Sequence, residues 1–580
     1  MKMKDRNSQL RNAIGGMATK ERIIESNSLP KEDARNRQGH AVYSIADELR
    51  LIGMLNTLKV EPQFYRSENE TMKELRDLVE RIGMKNPYFL AQAIVYSRCM
   101  GEGMRSINHL AATFAAPFVS GTPWAKAFYG AFNKREKNGG VVYRLDDMTE
   151  IKDVWAALNT VNIDGKSKML ALPNAMKKGF ASVLENADAN LLAKYKSTVI
   201  NIANLVHPRS KVSTATIVVD SKEMKVLDAL MKGITVTADT WESNNSEAGQ
   251  IVAEAVRQGK MSKSEADKVL AEAKNDNWES LLNDGKLGVL AALRNIRNIM
   301  KDPRKSVIDA WCKLITDDGK IRNSLIQPMQ IDLAYETVMS EFAQADYSPK
   351  VQQALLDAYE KAIPNLAATL PGRTCVIIDC SGSMGCSAMM GNTRLDSRGN
   401  GWYGCARKTA SCSYKAGLIA ATIAKATGAD VIKFGTAAQY VSIARNKNVF
   451  SLASELGTAD YGGTNPATAF ELMTRNRKAY DRIIFISDNE VNGRLTSSAY
   501  SKYIHDVCSP YVYGIDLAAY GTTPLKNPGK VNYYYGYGFA MFEDIAKNEF
   551  NPQAHIDKVR AVVIDPNYTP TEQDLAVHIK

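Results

Sequence analysis

Residues 374–384, Thr-Cys-Val-Ile-Ile-Asp-Cys-Ser-Gly-Ser-Met, constrain the fold more than any other stretch of the chain. Cys375, Val376, Ile377 and Ile378 follow one another without a polar interruption. Such a run fits a strand buried on both faces, as inside a parallel sheet, better than one with a wet side. Pro371 and Gly372 punctuate its start. Its end carries one carboxylate, Asp379, and two hydroxyls, Ser381 and Ser383. Hard oxygen donors gathered at the end of a buried strand suit a small divalent cation.

Downstream, apolar runs at 431–434, 483–486, 511–515 and 531–535 alternate with helical patterns near 412–427, 466–475, 497–505 and 541–547. Strand–helix alternation with continuous apolar strands implies a doubly wound parallel sheet, whose ligands sit at strand C-termini. Two further oxygen donors fall at such places. Thr464 lies in a Gly-Gly-Thr loop before a helix opened by Pro466, and Asp488 ends the run at 483–486. The serines do not form a hydrolase site, because the Gly-x-Ser-x-Gly elbow is missing and no histidine pattern supplies a base. One cation set without an evident base also disfavours a metal nuclease, so a non-enzymatic protein is expected. Between Ser383 and the next helix runs a long loop with Cys386, Cys405 and Cys412. Their irregular spacing fits a surface loop beside the metal better than a zinc clamp.

Upstream, the texture is different. Residues 41–368 read as amphipathic helices with short polar breaks, for example 67–82, 87–99, 262–274 and 351–362. The β-branched stretch 214–219 looks like an isolated strand, and Trp-Glu-Ser recurs at Trp241 and Trp278. Stacked helix pairs of a helical-repeat protein are the expected architecture. The chain therefore divides into a polar arm (1–40), a helical repeat domain (41–368), a sheet domain (369–550) and a tail (551–580). A length of 580 residues is too great for one core. The N-terminus lacks the apolar core of a signal peptide, and no apolar run is long enough to span a bilayer. Eight cysteines without paired spacing point to a reducing cytoplasm rather than a disulfide framework.

The net charge of +10 permits a nucleic-acid partner without demanding one, so any basic footprint must be local. The best candidate is a pair of neighbouring helices. The first has the apolar stripe Leu172, Met176, Phe180 and Leu184. The second, 188–206, turns Leu191, Leu192, Tyr195, Val199, Ile202 and Val206 inward. Lys177, Lys178, Lys194 and Lys196 fall off those stripes, and His207 and Arg209 follow the second helix. Cations spaced in this way suit backbone phosphates; solvated helix faces are the plainer explanation. The run Tyr533–Phe539 could stack bases, but its place on a strand favours packing.

The order Asp379-x-Ser381-x-Ser383, then Thr464, then Asp488 resembles the metal-ion-dependent adhesion site of von Willebrand factor A domains, over residues 371–550. That resemblance implies Mg²⁺ or another divalent cation touched by Ser381, Ser383 and Thr464, with Asp379 and Asp488 acting mainly through water or hydrogen bonds. The succession Leu172-Pro-Asn-Ala-Met-Lys177-Lys178, Leu192-Ala-Lys194-Tyr195-Lys196 and Leu205-Val-His207-Pro208-Arg209 is similar to the TROVE module of Ro proteins. Weaker matches include Arg294 and Arg297 and the Ser487-Asp-Asn-Glu490 signature. From 41 to 550 the chain thus resembles a Ro protein. The resemblance implies a monomeric ring of HEAT-like helical repeats closed by the A domain. It also implies binding of small non-coding, Y-like RNA and of single-stranded 3′ ends of misfolded RNA, with an exoribonuclease as a further partner through the RNA. Lys177, Lys178, Lys194, Lys196, His207, Arg209, Arg294 and Arg297 are the RNA candidates by position. The alternative is a protein-interaction scaffold whose A domain binds an acidic protein ligand through the metal.

Overall fold

The computed structural model describes residues 33–575, apart from 58–67, 100–104, 132–138, 237–257, 386–410, 459–461, 492–495, most of 536–553 and some single or paired positions. The chain separates into two compact units: Met1–Gly53 with Glu61–Glu68 and Gly285–His555, and Met54–Val60 with Asn69–Asp284 and Ile556–Lys580.

The first unit is built on six strands: β1 (Thr374–Asp379), β2 (Asp430–Phe434), β3 (Ala438–Val441), β4 (Arg482–Ser487), β5 (Tyr511–Asp516) and β6 (Val531–Tyr535). They lie in the order β6-β5-β4-β1-β2-β3. Every neighbouring pair is parallel except β2 with β3. All six residues of β1 and of β4 are buried, as their uninterrupted apolar runs require. The edge strand β3 was not expected, because Ala-Gln-Tyr-Val is short, half-exposed and lacks an apolar run. Phe434 faces Ala438 across the tight turn that joins it to β2.

Helices cover the sheet. Ala467–Arg475 and Thr496–Asp506 enclose a core of Ile377, Ile432, Phe434, Phe470, Phe485, Tyr500 and Tyr503. The helix Cys412–Thr427 is started by the Ser411 hydroxyl, which accepts from the Tyr414 N–H, and stopped by Gly428 at φ 73°. It meets the helix Val449–Leu456 so closely that a Cβ on Gly417 would lie 2.4 Å from the Ala453 carbonyl oxygen. Only glycine fits there. Lys415 of this helix is fully buried and ion-paired with Asp332 and Glu336 on the helix Pro328–Glu341. The expected helix at 351–362 extends over Ser348–Ala367, and its Tyr359 hydroxyl meets Thr422 at 2.7 Å. The end of the polar arm is ordered: Ala34–Arg35 pairs with Ala41–Ser44, which pairs in turn with Thr522–Thr523.

The second unit is mainly helical, with Pro87–Cys99, Ser106–Phe114, Asp147–Leu158, Asn174–Asn186 and Lys263–Asn283 among its longer elements. Two hairpins interrupt the helical pattern. Thr160–Ile163 pairs with Lys166–Met169, and Thr216–Val219 pairs with Lys222–Lys225. The stretch at 214–219 is therefore not an isolated strand. Its partner, Lys-Glu-Met-Lys, is too polar to announce itself. Residues from Ile556 onward belong to this unit. The buried Gln92 amide donates to the Arg560 and Val562 carbonyls at 2.7 and 2.8 Å, and Asn86 donates to the Asp574 carbonyl at 3.0 Å. The stretch after 551 is thus partly packed, with Ile556, Val559, Val562 and Ile564 buried. The cysteine loop at 386–410, Trp241 and most of the helix expected at 541–547 lie outside the described residues.

Candidate cation site and nucleic-acid interface

The strand order reverses between β1 and β4: the chain moves from β1 out to β2 and β3, then returns on the other side of β1. A crevice at such a switch point is where doubly wound sheets bind ligands. Asp379 ends β1, and Asp488 follows β4 directly. Thr464 lies in a loop fixed beside the end of β2, since the Asn465 N–H donates to the Gly435 carbonyl at 2.9 Å and the Gly463 N–H to the Thr436 hydroxyl at 3.3 Å. The Cys380 N–H reaches the Phe434 carbonyl at 2.8 Å, so the β1 and β2 ends share one level. Asp379, Ser381, Ser383, Thr464 and Asp488 are all buried.

Each carboxylate is oriented by its surroundings. Asp379 accepts the Ser381 N–H on Oδ1 at 2.8 Å and the Ser487 hydroxyl on Oδ2 at 2.6 Å. Asp488 Oδ1 accepts the Glu490 N–H at 3.2 Å. The hydroxyls of Ser381 and Ser383 stand 3.2 Å apart. Adjacent oxygens of an octahedron with Mg²⁺ bond lengths are separated by about 3 Å, so this pair can serve as neighbouring ligands. A second feature fits a cation with its waters. Asn489 is 1% exposed, and among the described residues neither end of its amide has a hydrogen-bond partner; the buried Oδ1 of Asn465 also lacks one there. All donors in this set are hard oxygens, the preference of Mg²⁺ rather than of a softer metal.

A different charged cluster occupies the helical unit. His109 and Asp147 are fully buried; Nε2 of the ring lies 3.3 Å from Asp147, and Nδ1 lies 2.8 Å from Glu150. Arg98 contacts Asp147 at 2.7 Å, and Arg105 contacts Asp146, Asp147 and Glu150. With both ring nitrogens facing carboxylates and two guanidiniums beside them, this is an ion network rather than a metal centre. Burial works against the charged imidazole, but the Asp147 and Glu150 carboxylates beside its two ring nitrogens prevail and its pKa is raised. Burial likewise opposes the Asp147 charge, and His109 and Arg98 overcome it, holding that carboxyl below its usual range. Asp147 Oδ2 also accepts the Tyr143 and Arg144 N–H groups at 2.9 Å. Arg144 pairs with Asp146 at 3.1 Å and reaches the Tyr195 side chain.

Tyr195 marks a break that the sequence pattern conceals. The helix expected over 188–206 is two helices, Ala189–Lys194 and Lys196–Val206, with Tyr195 between them. The stripe Leu172, Met176, Phe180 and Leu184 on the preceding helix is buried as expected. Lys178 and Lys196 are exposed, Lys177 and Lys194 are half-buried, and Lys194 lies 5.7 Å from the Tyr195 ring centroid. His207 is exposed in a left-handed conformation that ends the second helix. Arg209 is exposed, but its guanidinium grips both oxygens of Glu185 at 3.3 Å. Arg297 is similarly held by Glu341 at 2.7 Å, whereas Arg294 is exposed at the end of the helix Val289–Arg294. Arg294 and Arg297 belong to the sheet-containing unit, apart from the lysine pair in the helical one.

Sequence reasoning missed Asn465, Asn489 and the His109 network. An Asn-Pro step and an Asp-Asn step were the available signals for the first two, since asparagine tolerates the turn conformations such loops need.

A doubly wound sheet with a 3-2-1-4-5-6 strand order, joined in one chain to a largely helical unit, defines the fold class. That fold is shared with a solved structure, the Ro (RSR) protein of Deinococcus radiodurans. The TM-score is 0.53 at 17% sequence identity, over 89% of this chain and 100% of that one. No protein-family model matches the chain, and no curated protein does. Among the described residues, no helix is long and apolar enough to cross a membrane.

Proposed function

We propose that the chain is a Ro-type RNA-binding protein without enzymatic activity. It would bind a small structured non-coding RNA and single-stranded 3′ ends of misfolded RNA. The observation that carries this reading is the fold shared with a Ro protein over 89% of the chain. The ordered motifs at 172–178, 192–196 and 205–209 support it. RNA phosphates would meet Lys177, Lys178, Lys194 and Lys196, with His207 beside them. Arg209, held by Glu185, would shape the face more than bind to it. The helical repeats and an A-type sheet domain would form a monomeric ring in the cytoplasm, and an exoribonuclease could be recruited through the RNA.

At the strand edge, Ser381, Ser383 and Thr464 would contact Mg²⁺, and Asp379 and Asp488 would act through water and hydrogen bonds. When bound, the cation supplies one open position for an anionic oxygen of a partner. The chain's own residues orient that position: Ser487 and the Ser381 N–H fix Asp379, and the Glu490 N–H fixes Asp488. The test is ultraviolet crosslinking in cells followed by sequencing of RNA bound to the purified protein. A small structured RNA enriched over a control pull-down is expected. Recovery at background level would sink the reading.

A further inference from the structure

Two asparagines flank the cation site with amide atoms that no group among the described residues satisfies. Asn489 lacks a partner at both Oδ1 and Nδ2, and Asn465 lacks one at its buried Oδ1. An unsatisfied buried polar group destabilises the fold, because it gives up its bonds to water and gains none in return. Folded proteins keep such groups where a water, an ion or a ligand completes them. Both residues directly follow candidate ligands. Asn465 follows Thr464 on the β2 side of β1, and Asn489 follows Asp488 on the β4 side. The Asn489 N–H donates to the Ser487 hydroxyl at 3.0 Å, and that hydroxyl donates to Asp379 at 2.6 Å. Its backbone is therefore tied to the carboxylate that ends β1. At φ 61° Asn489 sits in the left-handed region, which asparagine enters more readily than other side chains. The turn holds the amide buried and in one place.

We infer that Asn465 and Asn489 anchor the water layer of the bound cation. Mg²⁺ gives up its waters reluctantly, so a site with few direct ligands must also hold coordinated water. Water on a cation is a strong hydrogen-bond donor, and an amide oxygen is a neutral acceptor that adds no charge. Asn465 and Asn489 would meet that need from the loops on either side of β1, each next to a candidate ligand. The inference rests on the cation reading above, extending it from the ligands to the residues that hold the waters.

The test is calorimetric titration of Mg²⁺ alone into the full chain, compared among wild type, Asn489→Gly and Asn465→Ala. Glycine accepts the left-handed turn, so Asn489→Gly removes the amide without straining the backbone. Each variant should bind Mg²⁺ about tenfold more weakly, or worse. Its melting temperature in chelator should be unchanged or raised, because an unsatisfied amide has gone. Wild-type affinity in both variants would overturn the inference while leaving the cation reading intact. So would weakened binding that tracks a lowered metal-free melting temperature. Failure of the wild type to bind Mg²⁺ would overturn the cation reading itself, and the inference with it. If Asn489→Gly does not fold, Asn465→Ala decides by the same criterion.

Discussion

The oxygens at the strand ends and the cations of the lysine helices are held in opposite ways. At the strand ends every candidate ligand is short and buried, and Asp379 and Asp488 each accept a backbone N–H, so the ends of β1 and β4 set where those carboxylates stand. On the lysine helices the charges sit on long side chains, half or fully exposed, and only the helix ends and the Tyr195 break fix their spacing. A small cation demands the first kind of site, since its ligands must fall within a narrow range of distances. A phosphate backbone tolerates the second, because its attraction is long-ranged and indifferent to sequence. Precision is invested where the ligand is small.

Removing what holds each site in place sharpens that contrast. The largest effect should come from Lys415→Met. Burial alone would lower the pKa of the Lys415 ammonium, but Asp332 and Glu336 outweigh it and the pKa is raised. Its loss leaves Asp332 buried without its cation. Urea denaturation should show a loss of about 3–5 kcal/mol, the usual consequence of breaking a buried pair from one side. A loss below about 1 kcal/mol would mean that the helix Cys412–Thr427 does not depend on this triad.

A smaller effect is expected in the helical unit. The His109 pKa is raised above its ordinary 6.5. Its contribution to stability is therefore complete below that value and fades as pH rises through the folded-state pKa. The melting temperature should fall as the solution is made alkaline from pH 6.5. His109→Gln should cost about 1–3 kcal/mol at pH 6 and flatten that part of the profile. A wild-type profile without the alkaline decline, or one that His109→Gln leaves unchanged, would contradict the charged network. Because Asp147 in the same network holds the 143–144 turn and Arg144 reaches Tyr195, the variant also tests how firmly the lysine face is set.

Much of the sheet was legible because burial on both faces leaves an unmistakable trace. The strands at 374–378, 431–434, 483–486, 511–515 and 531–535 all appear, as does the helix at 412–427. Asp379, Ser381, Ser383 and Asp488 stand at strand ends because the apolar runs before them fix where β1 and β4 stop, whereas the place of Thr464 depends on a loop whose contacts with Gly435 and Thr436 no local pattern announces. The edge strand Ala438–Val441, the hairpin at 160–169 and the partner strand Lys222–Lys225 escaped because edge and hairpin strands are stabilised by pairing rather than by apolar periodicity. Asn465 and Asn489 escaped because nothing in a sequence says that an amide will be buried without a partner. The pairing of Arg209 with Glu185 escaped for a related reason: the partner is 24 residues away and on another helix.

The claim that RNA and cation use separate sites is tested most directly by measuring the binding of a small structured RNA across a series of NaCl concentrations. Three proteins are compared: wild type, a variant with Lys177, Lys178, Lys194 and Lys196 all changed to Ala, and Asp379→Ala. The lysine variant should bind more weakly, with the slope of log affinity against log salt reduced by up to about four, roughly one per lost phosphate contact. Asp379→Ala should match the wild type in both affinity and slope. An unchanged slope in the lysine variant, or loss of RNA binding in Asp379→Ala, would contradict the division of labour between the two sites.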